Sequence, residues 1–422
     1  MSSRCIESGI SVFTAAEVRV AVIPIGSIPP EVWGSTLDAL SSFRHVSLSA
    51  SRSFYQEGGG AGGNKSPLQH MDWASAYMHF RFLQGEECKR RSRMFELYPQ
   101  RLILVVIGVV YCPQWESMEE AVREFERACK QFPECMVRRC FAFDPSIAHI
   151  LQGGGAGGGG AGSMMEQLVM FPPGGRKHLE QHLELWMHDL TARVLTEFEL
   201  WVLNAAQHSI KLTTFADSGE FTGQSVIDEV AKRLALGDEE VREKRRWGRL
   251  MKIKGDYCLM AGSPQDASEY YRTCVEICRG SDALWCGVAL EGIAQARILT
   301  ALSAAAAFEL SQAGGSSPSS PAPPHQRLKS QLDAPRSASA GGVHQAAPRH
   351  SLRGSQRTST SRTHIESSVR ELLNEARVYY KKREVLGMVG HTRKRALLLW
   401  HAVELMRGDA GSSDRGRCCG WL

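Results

Sequence analysis

Short apolar runs alternate with amphipathic segments between Val18 and Ala206, which predicts an α/β domain over residues 18–206. The runs that predict strands span residues 18–25, 45–51, 77–83, 101–112, 137–143 and 166–171. Segments with helical spacing of apolar residues span 29–43, 118–132 and 177–206. The run from Leu102 to Cys112 is rich in β-branched residues and predicts a buried central strand. The pattern does not determine the order of the strands.

A second pattern, from Lys244 to Leu299, predicts three consecutive helices. Gly262 and Gly280 are placed to end the first two helices, and Ser263 and Ser281 to cap the next two. The predicted buried positions are Ala267, Tyr270, Tyr271, Cys274 and Cys278 in the second helix, and Trp285, Val288, Ala289, Gly292, Ala296 and Leu299 in the third. Spacing alone leaves two alternatives open, an α-solenoid of tetratricopeptide-like hairpins and an ordinary helical bundle.

Glycine inside these helices predicts close packing. Gly255 lies within the first helix, where glycine costs about 1 kcal/mol relative to alanine, so it marks a close approach of another element. Gly292, with Ala296 one turn later, predicts a similarly tight crossing of the third helix.

The remaining segments complete the predicted domain organisation. We expect a loose tail at 1–17, glycine-rich inserts near 56–66 and 153–162, and a helical solenoid at 224–312. A Ser/Pro-rich stretch at 313–367 predicts a disordered linker, in which Ser317 and Ser320 each precede proline. A helical hairpin at 368–407 then continues the solenoid, with Ser368 and Glu371 as a capping box and a second helix at 391–407, before an unstructured tail at 408–422.

Composition narrows the functional classes. The 422 residues are 43% hydrophobic, which is enough for two or three domains, and the net charge of +5 does not indicate a dedicated nucleic-acid binder. The 12 cysteines lack paired spacing, so we interpret them as buried thiols in a reducing cytosol rather than as disulfides or a zinc site. The most apolar run is shorter than the roughly 20 residues that a transmembrane helix needs.

The sequence GGAGGNKS, from Gly59 to Ser66, comes closest to an enzymatic motif because it resembles a phosphate-binding loop. That loop requires glycine directly before its lysine, whereas Asn64 precedes Lys65, and Pro67 removes a backbone N–H. A similar tract without lysine recurs at 153–162, so both tracts are interpreted as low-complexity inserts.

Two other groups of residues suggest chemistry, and each has a simpler interpretation. His178 and His182 lie one turn apart with Asp189 near the same face, which is a possible metal set, but the neighbouring polar residues favour a solvated helix face. Basic clusters at 89–93, 138–139 and 244–249 could meet anionic lipid, and a solvated surface is the simpler interpretation of each. We assign no catalytic, cofactor-binding or metal residues.

The run GRLMKIKGDYCLMAGSPQDASEYYRTCVEICRGSDALWCGVALEGI, beginning at Gly248, resembles the start of the helical region of the large TRAPP II subunit, the NIK- and IKK-binding protein family. The shared features are a G-R entry, G-D-x-C, A-G, a tyrosine pair and L-W-x-G-x-A-L-E-G. The resemblance is specific over Lys244–Leu299, weaker over Val18–Ala206 and moderate over Ser368–Arg407. It implies a GTPase-like α/β domain without a nucleotide site, and we expect the chain to be an N-terminal portion or a shortened gene product, since family members continue further.

This resemblance implies a non-enzymatic scaffold without a cofactor, in a TRAPP II-like vesicle-tethering complex that promotes nucleotide exchange on a Rab-type GTPase. Its partners would be other TRAPP subunits, the Rab GTPase through the complex, and the Golgi or trans-Golgi membrane peripherally, with no nucleic acid. It would be cytoplasmic and peripheral at the Golgi. Two alternatives stay open: a nucleotide-dependent enzyme built on the α/β domain, and a standalone peptide-binding solenoid.

Overall fold

An α/β region is followed by a group of helices in the chain, which we describe from a computed structural model. It describes residues 12–49, 66–89, 98–146, 167–172, 175–205, 239–313 and 354–381. The strands are β1 (Glu17–Ile25), β2 (His45–Ser47), β3 (Tyr77–Leu83), β4 (Ile103–Tyr111), β5 (Val137–Phe143) and β6 (Leu168–Met170). The helices are α1 (Pro30–Ser41), α2 (Glu86–Lys89), α3 (Met118–Cys129), α4 (Arg176–Leu203), α5 (Glu239–Met260), α6 (Pro264–Cys278), α7 (Ala283–Ala313) and α8 (Gly354–Lys381).

The six strands form one sheet in the order β2-β3-β1-β4-β5-β6. All neighbouring strands are parallel except β2 and β3, which pair antiparallel at the edge. Because parallel strands must be joined by crossover connections, helices cover both faces of the sheet. The predicted α/β fold of this region is therefore confirmed.

The two faces of the sheet are buried against different helices. Along β1, Val18, Val20 and Val22 face the side on which α1 and α4 pack. Ala21 and Ile25 face the opposite side, where they join the buried side chains of α3. Burial on both faces explains why β4 is almost continuously apolar, as the sequence predicts for the run from Leu102 to Cys112.

Helices α5 to α8 pack in chain order, each against the next, and we call them the helical stack. Tyr271 of α6 lies at its centre, with its aromatic ring between two glycines. A Cβ atom at Gly255 of α5 would lie 2.6 Å from the ring, and one at Gly292 of α7 would lie 2.7 Å from it. The prediction that these glycines mark close approaches is confirmed.

Glycines also face bulky side chains of a neighbouring helix at two other helix crossings in the stack. Gly248 of α5 faces the sulfur of Cys278 in α6, at 2.2 Å from an added Cβ, and Gly287 of α7 faces the ring of Tyr380 in α8, at 2.7 Å. In each case a bulky side chain of one helix fills the space that a neighbouring backbone leaves open. The helices therefore approach more closely than ordinary side chains would permit.

The stack and the α/β region share one continuous hydrophobic core, which includes side chains of the sheet, α1, α4 and α5 to α7. Tyr257 of α5 contacts the rings of Phe198 and Trp201 in α4, with ring centroids 5.1 and 4.5 Å apart. Gly262, at φ +85°, lies against the backbone carbonyl of Tyr77 in β3. This shared burial gives the helices a fixed attachment to the sheet.

Several helix boundaries differ from the sequence predictions. Helix α7 begins at Ala283 after Asp282, and the hydroxyl of Ser281 instead donates to the carbonyl of Ile277, so Ser281 is not the cap. Helix α8 begins at Gly354, inside the predicted disordered linker of 313–367, so Ser368 lies within the helix rather than at a capping box. Of the predicted tail at 1–17, Val12–Ala15 forms a short 3-10 helix.

Other predictions fall outside the described residues. These are the glycine-rich tracts at 56–65 and 153–162, the start of the helical region at 224–238, most of the linker, the second helix at 391–407 and the tail at 408–422. Within the described part of the chain, no helix has both the length and the apolar composition needed to cross a membrane.

We expect Gly255→Ala and Gly292→Ala each to destabilise the protein by about 1–3 kcal/mol, because the added methyl group would overlap the Tyr271 ring. This cost outweighs the gain of about 1 kcal/mol that alanine brings to a helix interior. Urea denaturation measures the change. The matched control is Gly34→Ala in α1, where an added Cβ meets nothing within 4 Å and stability should rise. Unchanged or increased stability of the Gly255 variant would contradict the packing described above.

Candidate functional site

The crevice between the carboxyl ends of β1 and β4 is where an open α/β sheet of this kind binds ligands, because the connections leave these two strands in opposite directions. Trp115 lies in it. Its indole ring covers Gly26, directly after β1, so closely that a Cβ on this glycine would be 2.8 Å from the ring. The crevice is therefore filled by the protein's own side chain.

The N-terminus of α1 also departs from a phosphate-binding helix start. Such sites present several free backbone N–H groups to the anion. Here Pro29 precedes the helix and Pro30 is its first residue, so two of these donors are missing. Together with Trp115, this leaves the first turn of α1 poorly suited to a nucleotide phosphate.

The phosphate-loop-like tract of the sequence is described only at its last residue. Residues 59–65, including Lys65, lie outside the described part of the chain. Ser66 donates a 2.6 Å hydrogen bond from its hydroxyl to Glu199 on α4. This hydrogen bond therefore joins the segment before β3 to α4.

The possible metal set on α4 is not brought together. His178 and His182 contact each other, with 3.1 Å between their Nε2 atoms. The carboxylate of Asp189 instead accepts hydrogen bonds from Arg193 at 3.0 Å and from Arg139 of β5 at 3.4 Å. Asp189 therefore connects the helix to the sheet.

The basic clusters differ in how much charge they expose. Arg139 is buried against α4 and Arg249 is buried in an ion pair with Asp282, so neither belongs to a surface patch. Arg246 and Trp247 at the start of α5 are exposed. Of the cluster at 89–93, only Lys89 lies within the described residues.

The described cysteines are free thiols and, apart from the half-buried Cys135, all are buried. Burial raises the pKa of the Cys112 and Cys129 thiols to about 12. Thiols with so high a pKa stay protonated at neutral pH and are poor nucleophiles. The interpretation of the cysteines as buried thiols is confirmed for the described ones other than Cys135.

Buried polar groups occur where the stack meets the sheet. The Lys252 ammonium donates to Asp256 at 2.5 Å, and the Tyr271 hydroxyl donates to the same carboxylate at 2.8 Å. The ammonium also lies 4.8 Å from the ring centroid of Tyr98, whose hydroxyl is 3.4 Å from Glu291 of α7. Both charges of the Lys252–Asp256 pair are buried. Removal of one partner would leave the other charge buried and unpaired, which would strongly destabilise the fold.

A second contact joins the β2–β3 connection to the start of α6. Asp266 accepts hydrogen bonds from the backbone N–H of His70 at 3.1 Å, from its Nδ1 at 2.7 Å and from the hydroxyl of Ser263 at 2.5 Å. The sequence analysis missed this contact, because His70 and Asp266 are 196 residues apart.

His70, Asp266 and Glu269 are also the described residues whose geometry comes closest to a metal site, with ligand atoms within 4.8 Å of one another. Glu269 is 4.0 Å from the His70 ring nitrogen, whereas Asp266 is at hydrogen-bonding distance. Because both Asp266 oxygens already accept hydrogen bonds, the arrangement is a hydrogen-bonded connection between two segments.

We expect the contribution of His70 to stability to depend on pH. The hydrogen bond to Asp266 raises the pKa of His70 above its ordinary value of 6.5. The contribution is therefore fully present below the pKa of the unfolded state and is lost as the pH rises through the higher folded pKa. Thermal denaturation of the wild type and His70→Ala should show a difference that narrows from mildly acidic to mildly alkaline pH. A constant difference would contradict this, and His178→Ala on α4 serves as the control.

Comparison with known proteins identifies the family. The profile of "Trs120/TRAPPC9, N-terminal domain" matches residues 9–235 and 204–313, which include all six described strands and helices α5 to α7. The "Trafficking protein particle complex II-specific subunit 120 homolog" of Arabidopsis thaliana is 36% identical over 289 residues, and that of Oryza sativa subsp. japonica is 33% identical over 290 residues. Each match covers 68% of this chain and 22% of the relative.

A shorter match links the chain to animal proteins. "Trafficking protein particle complex subunit 9" of Mus musculus is 44% identical over 63 residues, which is 15% of this chain and 6% of the relative. The chain thus spans about a fifth of the length of the plant relatives. With a profile match over more than half of its residues, the chain belongs to the Trs120/TRAPPC9 family and corresponds to an N-terminal portion of it.

Proposed function

We propose that this chain acts as a non-catalytic scaffold subunit of a TRAPP II-like complex, which tethers vesicles at the Golgi and promotes nucleotide exchange on a Rab-type GTPase. The observation that carries the proposal is the family membership, since its relatives are named as subunits of trafficking protein particle complexes. Its partners would be the other subunits of that complex, with the Rab GTPase and the Golgi membrane engaged through the assembly.

The shape of the stack supports a role in holding partners. Helices α5 to α8 are packed in chain order, each mainly against the next, as in an α-solenoid built from helical hairpins. Such arrays present long surfaces whose geometry is set by the packing between repeats. The aromatic and sulfur side chains seated on glycines hold that geometry here.

The filled crevice supports the non-catalytic part of the proposal. Trp115 covers Gly26 at the position where a doubly wound sheet binds nucleotides, and Pro29 and Pro30 remove donors from the nearby helix start. The described α/β region would then serve as a packing platform for the stack.

Affinity purification tests the assembly. A tagged form of the chain, expressed in cells that contain the complex, should recover other trafficking protein particle subunits in stoichiometric amounts. We expect Gly34→Ala to recover them equally well, because an added Cβ at this position meets nothing within 4 Å. Recovery of the folded chain without any such subunit would overturn the proposal.

Nucleotide titration tests the non-catalytic part separately. Because Trp115 fills the crevice, we expect no saturable binding of GTP or ATP in the micromolar range by calorimetry. Trp115→Ala should not bind nucleotide either, since Pro29 and Pro30 still lack the N–H groups that would hold a phosphate. Micromolar binding to the wild type would contradict the scaffold interpretation and favour an enzyme.

A further inference from the structure

A groove of about 490 Å³ lies between α6 and α8, with α7 below it. Part of its lining is apolar and comes from Ala296 and Ala301 of α7 and Ile365 of α8. Pro264 and Arg272 of α6 mark its extent along that helix, a span of about 12 Å at the 1.5 Å rise of an α-helix. This length fits roughly four residues of extended chain at about 3.3 Å each.

The charged lining of the groove is mainly cationic. Arg272 of α6 and Arg297 of α7 both line it, and neither forms an ion pair with a carboxylate among the described residues. His70 and His364 contribute two imidazoles. Glu269 is the one carboxylate among the described lining residues. The lining therefore carries an excess of positive charge next to an apolar surface.

One polar group in the lining lacks a partner within the described protein. Ser268 of α6 is 8% exposed, and its hydroxyl forms no hydrogen bond with the described residues. A buried hydroxyl without a partner costs free energy, so the described protein leaves this position of the lining incompletely hydrogen-bonded. Ser268 lines the same groove as the apolar surface and the two arginines.

We propose that the groove between α6 and α8 binds a short acidic segment of a partner protein, with apolar side chains of the segment against α7 and its carboxylates against Arg272 and Arg297. A recessed groove with an apolar surface fits an amphipathic chain better than a flat membrane surface, where basic residues would face outward together. The inference deepens the proposed function, on which it rests, by naming the chemistry of one partner.

The test uses a fluorescein-labelled peptide of alternating glutamate and leucine, with the corresponding lysine–leucine peptide as the charge-reversed probe. We expect the acidic peptide to bind the full chain saturably, more weakly at high salt, and the basic peptide not to bind. Reversing both charges with Arg272→Glu and Arg297→Glu should weaken binding by about tenfold or more. If the glutamate variant folds poorly, the milder double change Arg272→Gln with Arg297→Gln replaces it. We expect the glutamine variant to lose binding as well, but by a smaller factor.

The control is Arg123→Glu on α3, an exposed arginine on the far side of the sheet whose change in charge matches one groove substitution. It should leave binding unchanged, and hydrogen exchange should show protection by the peptide on α6 and α8. Equal binding of both peptides, no loss in the groove variants, or a preference for inorganic phosphate or anionic vesicles over the peptide would overturn the inference. Recovery of the complex with the wild-type chain, but no acidic peptide binding, would reject the groove and leave the proposed function standing.

Discussion

The packing of Tyr271 between Gly255 and Gly292 is the contact on which the helical stack depends. One aromatic ring fills the space between two helix backbones, and its hydroxyl reaches the buried Asp256, which also holds Lys252. A ring in this position fixes the spacing of three helices at once. Because the carboxylate it reaches is already paired, the ring cannot be exchanged for another apolar group without disturbing a buried charge.

The same group of residues connects the stack to the sheet. Lys252 lies over Tyr98, which precedes β4, and Tyr98 in turn contacts Glu291 of α7. At the start of α6, Asp266 accepts three hydrogen bonds from His70 and Ser263. These contacts, together with the shared apolar core, join the α/β region and the stack into one packed unit. The α/β fold is retained while Trp115 fills its ligand crevice, which is consistent with a sheet whose main use is to support helices.

The sequence carried most of the local information. Period-two and helical spacing predicted the six strands and the principal helices, and an isolated glycine inside a helix correctly marked the close approaches of Gly255 and Gly292. The partners were not predictable, because nothing in the sequence near Asp266 indicates His70. The same holds for Arg139, which appeared to belong to a basic cluster but pairs with Asp189 on another element. The cap of α7 was predicted at the wrong residue because Ser281 and Asp282 are adjacent and both are residue types that favour helix starts, so the sequence pattern does not distinguish them.

The glycine at position 262 has a consequence that extends well beyond its own turn. It presses the end of α5 against the carbonyl of Tyr77, where even a methyl group would lie 2.8 Å from that oxygen. A side chain there would force the end of α5 away from β3, and any resulting tilt would be magnified along a 20-residue helix of about 30 Å. The missing side chain thus lets the turn between α5 and α6 lie directly against β3, and α6 to α8 continue the stack from that point.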